Sequence, residues 1–253
     1  TQYAKQTGIS IFMVGHVTKD QSLAGPMTLS HIVDAQVLIT STDDARFRVM
    51  RSDKNRFGSV GELGFLAMTG EGLKEVKNPS AMFLSRASEP SSGSVVTVLW
   101  EGTRPLLVEI QALVTESQYG NPRRLAVGLD QNRLAMLLAV LARHGGIITA
   151  TDEIYANVVG GIKITETSSD LAILIGVVSS LRDRIIDHEV VYFGEIGLNG
   201  EIRPVANGQA RLNEVAKHGF KRAVIPKANV PREKIPGLEI IGVSTVAQAL
   251  DNL

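Results

Sequence analysis

The sequence predicts two units in tandem: part of an α/β core over residues 1–90 and an α+β domain over residues 91–253. Three observations carry this reading. The run ISIFMVG at 9–15 is nearly all apolar, as expected of a strand buried on both faces of a parallel sheet. The stretch NPSAMFLSRASEPSSGS at 78–94 gathers Ser, Pro and Gly without periodicity, which places a boundary near residue 90. Beyond it, strands, two long apolar helices and an Asn-Gly hairpin follow in an order that fits an α+β domain.

Taken in order, TQYAKQTGIS reads as the last turns of a helix ending at Gly8, so the chain is expected to begin inside a domain. After ISIFMVG comes a polar loop with a Gly-Pro step, VTKDQSLAGPMTLSH. Strands are then expected at 35–40, 46–52 and 62–68, joined by an acidic turn at Asp43-Asp44 and by the segment KNRFGSVG. A short helical turn opens the linker. In the second unit, strands are expected at 95–102, 106–114 and 124–129. Asp130 is placed to cap a helix over QNRLAMLLAVLARH, which Gly145-Gly146 ends. IYANVVGG and IKIT read as strands. SSDLAILIGVVSSLRD at 168–183 reads as a buried helix with Ser168 or Ser169 near its N-cap. VVYFGEIGLNGEIRPV at 190–205 reads as a hairpin about Asn199-Gly200. A helix over NGQARLNEVAKHG, strands RAVIP and LEIIG, and a closing helix complete the chain.

Composition narrows the functional classes. Lys and Arg total 26 and so do Asp and Glu, which excludes a global basic field acting on nucleic acid or a membrane. The split is 10 basic to 9 acidic before the boundary and 16 to 17 after it, so neither unit is a basic module. There is no cysteine, which removes disulfides, thiolate chemistry and Cys-type zinc sites, and fits a cytoplasmic protein. The five histidines lack metal-ligand spacing, so no metal site is expected in this chain. The apolar run LAMLLAVLA, bounded by Arg133 and Arg143, falls far short of the ~20 residues of a bilayer span, and no membrane association is expected.

Lys54 and Arg56 stand two apart at a strand end, so the pleat sends both to one side and Asn55 to the other. Like charges on one face suit an anion. The plain alternative is a solvated pair whose repulsion is screened. The segment KNRFG at 54–58, with MVGHVTKDQSLAGP at 13–26 and WEGTRPLLVEIQALV at 100–114, resembles the bacterial RadA (Sms) family of RecA-like ATPases over essentially the whole chain. The resemblance implies that Lys54 and Arg56 contact ATP bound by the neighbouring subunit, acting in trans on its phosphates, and that His16 serves as a sensor. It also implies that Lys19, the cation of the following loop, lines a channel for DNA. No G-x-x-x-x-G-K-[ST] occurs. By resemblance the phosphate-binding loop and a four-cysteine zinc module lie upstream, so this chain is expected to be a C-terminal fragment that binds neither ATP nor zinc alone. The whole protein is expected to be a cytoplasmic homo-hexamer, a DNA-dependent, helicase-like ATPase. It would use ATP or ADP with Mg²⁺, act on single-stranded or branched DNA, and promote branch migration with the RecA recombinase.

The second unit resembles the proteolytic domain of Lon, a serine-lysine peptidase. TETSSDLAILIGVVSSL at 165–181 matches the nucleophile stretch, with Ser168 on the serine position, and GEIGLNGEIRPVANGQARL at 194–212 matches the lysine stretch. Aligned on G-E-I, L-x-G and Pro204, the lysine position holds Gln209. A carboxamide takes no proton from serine. Asp170 stands where Lon has glycine, and Lys163 and Lys217 sit outside the dyad positions. A Lon-protease-like domain without peptidase activity, kept for assembly, is therefore expected. The alternatives are a working Lon-type peptidase, or an oligomerisation and DNA-binding platform with Arg123, Arg124, Lys221 and Arg222 along a DNA path.

Overall fold

A computed structural model describes residues 2–16, 31–41, 46–60, 62–84, 91–118, 120 and 122–253. A short helix α1 (Gln2–Thr7) closes at Gly8, whose φ of +71° and bond to the Ala4 carbonyl end it as anticipated. Residues 9–16 carry no regular structure, contrary to the expected buried strand. Phe12 is 94% and Val14 98% exposed. The physical reason is pairing: a doubly buried strand needs neighbours on both edges, and among the described residues none lies beside this one.

Four strands, β1 (Ala35–Ser41), β2 (Phe47–Asn55), β3 (Leu63–Thr69) and β4 (Gly72–Glu75), form an antiparallel sheet in sequence order. Three were legible from alternation; β4 was not, because all four of its residues are exposed and leave no pattern. Leu38 and Phe65 are the fully buried apolar side chains of this sheet among the described residues. A turn of 3₁₀ helix at Pro79–Met82 leads to the buried Phe83.

The second sheet has seven strands: β5 (Ser94–Glu101), β6 (Arg104–Glu116), β7 (Arg124–Val127), β8 (Asp152–Val158), β9 (Val190–Tyr192), β12 (Arg222–Pro226) and β13 (Glu239–Val243). Its order is β13-β12-β9-β5-β6-β8-β7, and the β13-β12-β9-β5 and β8-β7 pairs are parallel. This is a mixed α/β layer structure. Helices α2 (Gln131–His144) and α3 (Asp170–Leu181) belong to one side, with Leu99, Leu106, Val108 and Ile154 facing them. Helix α4 (Gly208–Lys217) covers the other, against Val98, Leu107, Val191 and Phe193. The alternation of Leu106, Leu107 and Val108 between the two cores is the strand period at work.

Asp130 caps α2 by accepting from the Arg133 N–H at 2.7 Å. The last helix, α5 (Val246–Leu250), is capped by Thr245. Two expectations are corrected. IKIT at 162–165 is not a strand: β8 already pairs with β6 and β7, and the Ile164 N–H bonds the Gly128 carbonyl instead. The hairpin about Asn199-Gly200 is shorter than expected, joining only β10 (Glu195–Ile196) to β11 (Ile202–Arg203), because β9 belongs to the large sheet. Gly200 turns at φ +78°, where a Cβ would lie 2.6 Å from the His144 ring.

Candidate functional site

The cation pair sits where β2 ends. Lys54 is opposite Gln36 of β1, next to a register shift between Gln36 and Val37. Lys54 Nζ donates to the His31 carbonyl at 3.2 Å, and Arg56 Nη2 donates to the same oxygen at 3.4 Å. Arg56 Nη1 also pairs with Asp34 at 2.9 Å, both side chains being about half exposed. Lys54 near the end of β2 and Arg56 just past that end thus reach one place, as their spacing predicts. Asn55 turns away and builds the loop, donating to the Ser59 carbonyl and accepting from the Phe57 N–H. An exposed ion pair like Arg56–Asp34 contributes roughly 1 kcal/mol or less and exchanges readily for a stronger anion. His16 is exposed in the irregular stretch 9–16, and Lys19 lies outside the described residues.

The second cluster is buried. Ser168 and Ser169 lie in a 3₁₀ turn entering α3, and neither side chain caps the helix. Ser168 Oγ instead donates to Glu166 Oε1 at 2.6 Å and accepts from Arg211 Nη1 at 3.2 Å. Arg211, 1% exposed, grips Glu166 in a fork of 2.9 and 2.7 Å and donates to the carbonyls of Ala206 and Val98. Glu166 also accepts from the Trp100 N–H at 2.6 Å. Gln209 is exposed and bonds Asn213 on its own helix. Lys217 is exposed and pairs with Glu214, and Lys163 is exposed. The side chain that reaches Ser168 is therefore a guanidinium, which stays protonated at any physiological pH and takes no proton.

Asp170 is also buried, held by Arg133 and by the Ile196 N–H at 3.0 Å. Burial pushes its carboxyl up, against the pull of Arg133 and Ile196; the hydrogen bond that Arg133 donates to Asp170 pushes Arg133 up in turn. An anion held in this way braces the β10–β11 hairpin on the start of α3.

Sequence reasoning missed Glu166, Arg133 and Arg211. One signal was present: Arg211 lies beside Leu212 and four residues before Val215, on the apolar stripe of α4, where a charge calls for a buried partner. The expected DNA path is dispersed: Arg124 donates to the Thr149 carbonyl and Arg222 pairs with Glu239, while Arg123 and Lys221 are exposed. On the far face of β6, β8 and β7, Leu113, Leu125 and Val127 are exposed.

Fold and site define a layered α/β protein whose buried serine is tied to a carboxylate and a guanidinium. Residues 137–229, which span most of that domain, match the family model described as subunit ChlI of Mg-chelatase. The full chain is 61% identical over 250 residues to the DNA repair protein RadA of Escherichia coli, covering 99% of this chain and 54% of that protein. The Bacillus subtilis and Synechocystis proteins of the same name are 48% and 45% identical, with 98% of this chain covered in each case and 54% and 49% of theirs. The chain belongs to the RadA family, and it spans about half the length of the curated relatives it matches.

Proposed function

We propose that this chain supplies one face of an inter-subunit ATP site in a DNA-repair motor. The observation that carries the reading is the convergence of Lys54 and Arg56 on a single oxygen, the His31 carbonyl. Two cations that meet at one acceptor suit a phosphate oxygen: Arg56 offers a planar fork and Lys54 a point charge. In the full-length protein they act in trans, stabilising the negative charge that develops as the neighbour's nucleotide is hydrolysed. Bound with Mg²⁺, ATP supplies the phosphoryl group. Among the described residues no group of three or more His, Cys, Asp or Glu is placed to hold a metal, and in this reading the ion is held by other parts of the longer protein. His16 and Lys19 keep their proposed roles as sensor and DNA contact.

The second unit is a Lon-protease-like domain that assembles rather than cleaves. The guanidinium of Arg211 beside Ser168 supports this, since Ser168 is left without a proton acceptor of the serine-lysine kind. The whole protein is a homo-hexameric, cytoplasmic, DNA-dependent ATPase. It acts on single-stranded or branched DNA, with RecA, during recombinational repair; the name shared by its relatives, DNA repair protein RadA, supports the repair part of this reading. No described helix is long and apolar enough to cross a membrane.

The test is Arg56→Ala in a full-length protein of the family that carries this chain. ATP turnover falls on the order of 10³-fold while nucleotide affinity changes little. Unchanged turnover refutes the assignment.

A further inference from the structure

The cation pair sits on a sheet with little core of its own, since Leu38 and Phe65 are its fully buried apolar side chains among the described residues. Something outside the sheet must fix its position. Phe65 lies on β3 opposite Val49 of β2. Its ring meets Phe83 edge-on, centroids 5.6 Å apart at 67°. Phe83 is in turn fixed to the second unit: its carbonyl accepts from the Glu109 N–H at 2.8 Å, and the neighbouring Ser80 Oγ accepts from the Leu107 N–H at 3.2 Å. Above Phe65 stands the guanidinium of Arg104, 5.1 Å from the ring centroid.

Arg104 is paired with Glu101 across the turn that joins β5 to β6, inside the segment WEGTRP. One turn of the second unit therefore addresses β3 through the Phe65 ring, and β3 pairs with β2 from Phe47 to Arg51, just upstream of the cations.

We propose that the β5–β6 turn is a positioning clasp, in which Arg104 over Phe65 sets the direction in which β2 delivers Lys54 and Arg56 to the neighbouring subunit's nucleotide. The proposal rests on the trans-acting reading of Lys54 and Arg56. The second unit then contributes to turnover without touching nucleotide. Its lever is geometric, because a misplacement of about 1 Å costs on the order of 10²-fold in rate.

The experiment compares Arg104→Met, Arg104→Lys and Arg56→Ala in a full-length protein of the family that carries this chain, reading kcat, KM for ATP, nucleotide Kd and melting temperature. Arg104→Met keeps the apolar stem that covers Phe65 and removes the cation. It is expected to lower kcat about tenfold or more, with Kd and KM within about twofold. Arg104→Lys restores a cation over the ring and most of the rate. A purely structural role would lower the melting temperature and the fraction of nucleotide-binding protein, leaving kcat per bound site intact, and that result overturns the clasp. If the Arg104→Met protein binds nucleotide too poorly to be scored, Phe65→Leu gives the same reading from the other side of the contact, keeping an apolar side chain and removing the ring. If Arg56→Ala lowers turnover and neither Arg104→Met nor Phe65→Leu does, the clasp is wrong and the trans reading stands. If Arg56→Ala has no effect, the trans reading fails and takes the clasp with it.

Discussion

Arg211→Met tests whether the Ser168 cluster is a structural cross-tie. The guanidinium reaches Glu166 twice, Ser168 Oγ once and two backbone carbonyls, Val98 on β5 and Ala206 before α4. Methionine fills much of the volume but donates nothing. Glu166, whose side chain is 27% exposed, is left charged with only the Trp100 N–H and the Ser168 hydroxyl to answer it. Breaking a buried ion pair from one side costs about 3–5 kcal/mol, most of it the uncompensated charge. For a chain of this size that corresponds to a fall in melting temperature of about 6–20 °C. The single tryptophan, Trp100, sits at the cluster and reports urea unfolding by its emission. Adding Glu166→Gln removes the stranded charge, so the double variant should be more stable than the sum of the two single losses requires. A loss under about 1 kcal/mol for Arg211→Met, or strict additivity in the double variant, refutes the reasoning.

Gln209→Lys should not revive peptidase chemistry, because position 209 faces solvent on α4; labelling of Ser168 by a fluorophosphonate in that variant would show otherwise. Gly160→Ala should destabilise the chain by about 1–3 kcal/mol in urea unfolding, since its φ is +80° and a Cβ would lie 2.4 Å from the Phe83 ring; wild-type stability would mean that the Phe83 packing is loose. Glu101 gives a pH signature of defined sign. Its folded carboxyl titrates above the ordinary 4.5, so its contribution is fully present below that value and is lost as pH rises through the folded one. Relative to Glu101→Gln, the wild-type chain should therefore lose stability as pH climbs from about 4.5, and a parallel pair of pH–stability curves would contradict this.

What was legible in the sequence was local. The Asp130 cap, the apolar stripe of α2 and the Asn199-Gly200 turn involve residues within one helical turn or one hairpin, where spacing alone decides geometry. The meeting of Lys54 and Arg56 was legible for the same reason, since they stand two apart at the end of an extended segment. The Ser168 cluster was not. Arg211 meets Glu166 across 45 residues and Val98 across 113, and those separations carry no periodic signal. ISIFMVG failed differently: its apolarity states a need for cover, and the pattern cannot say which strands provide it. IKIT reads as a strand by composition, yet both ladders of β8 were already taken.

The placement of Arg211, and not Gln209, beside the serine follows from helix geometry and sets next to Ser168 a cation that takes no proton. At 3.6 residues per turn, positions 209 and 211 on α4 point about 200° apart. Only one of them can face Ser168, and here it is the buried Arg211. A serine-lysine dyad needs an amine that is neutral part of the time, which burial among apolar groups achieves by disfavouring its charge. The carboxylate of Glu166 does the opposite, favouring the charged form of whatever cation stands in the cluster. A lysine introduced at 211 would therefore inherit a partner that keeps it protonated. Recovering a base would require removing Glu166 as well, and with it the bond that holds the Trp100 N–H at the start of the β5–β6 turn. The same carboxylate that accepts from the serine thus also bonds the Trp100 N–H, at the strand end that leads into the turn from which Arg104 reaches Phe65.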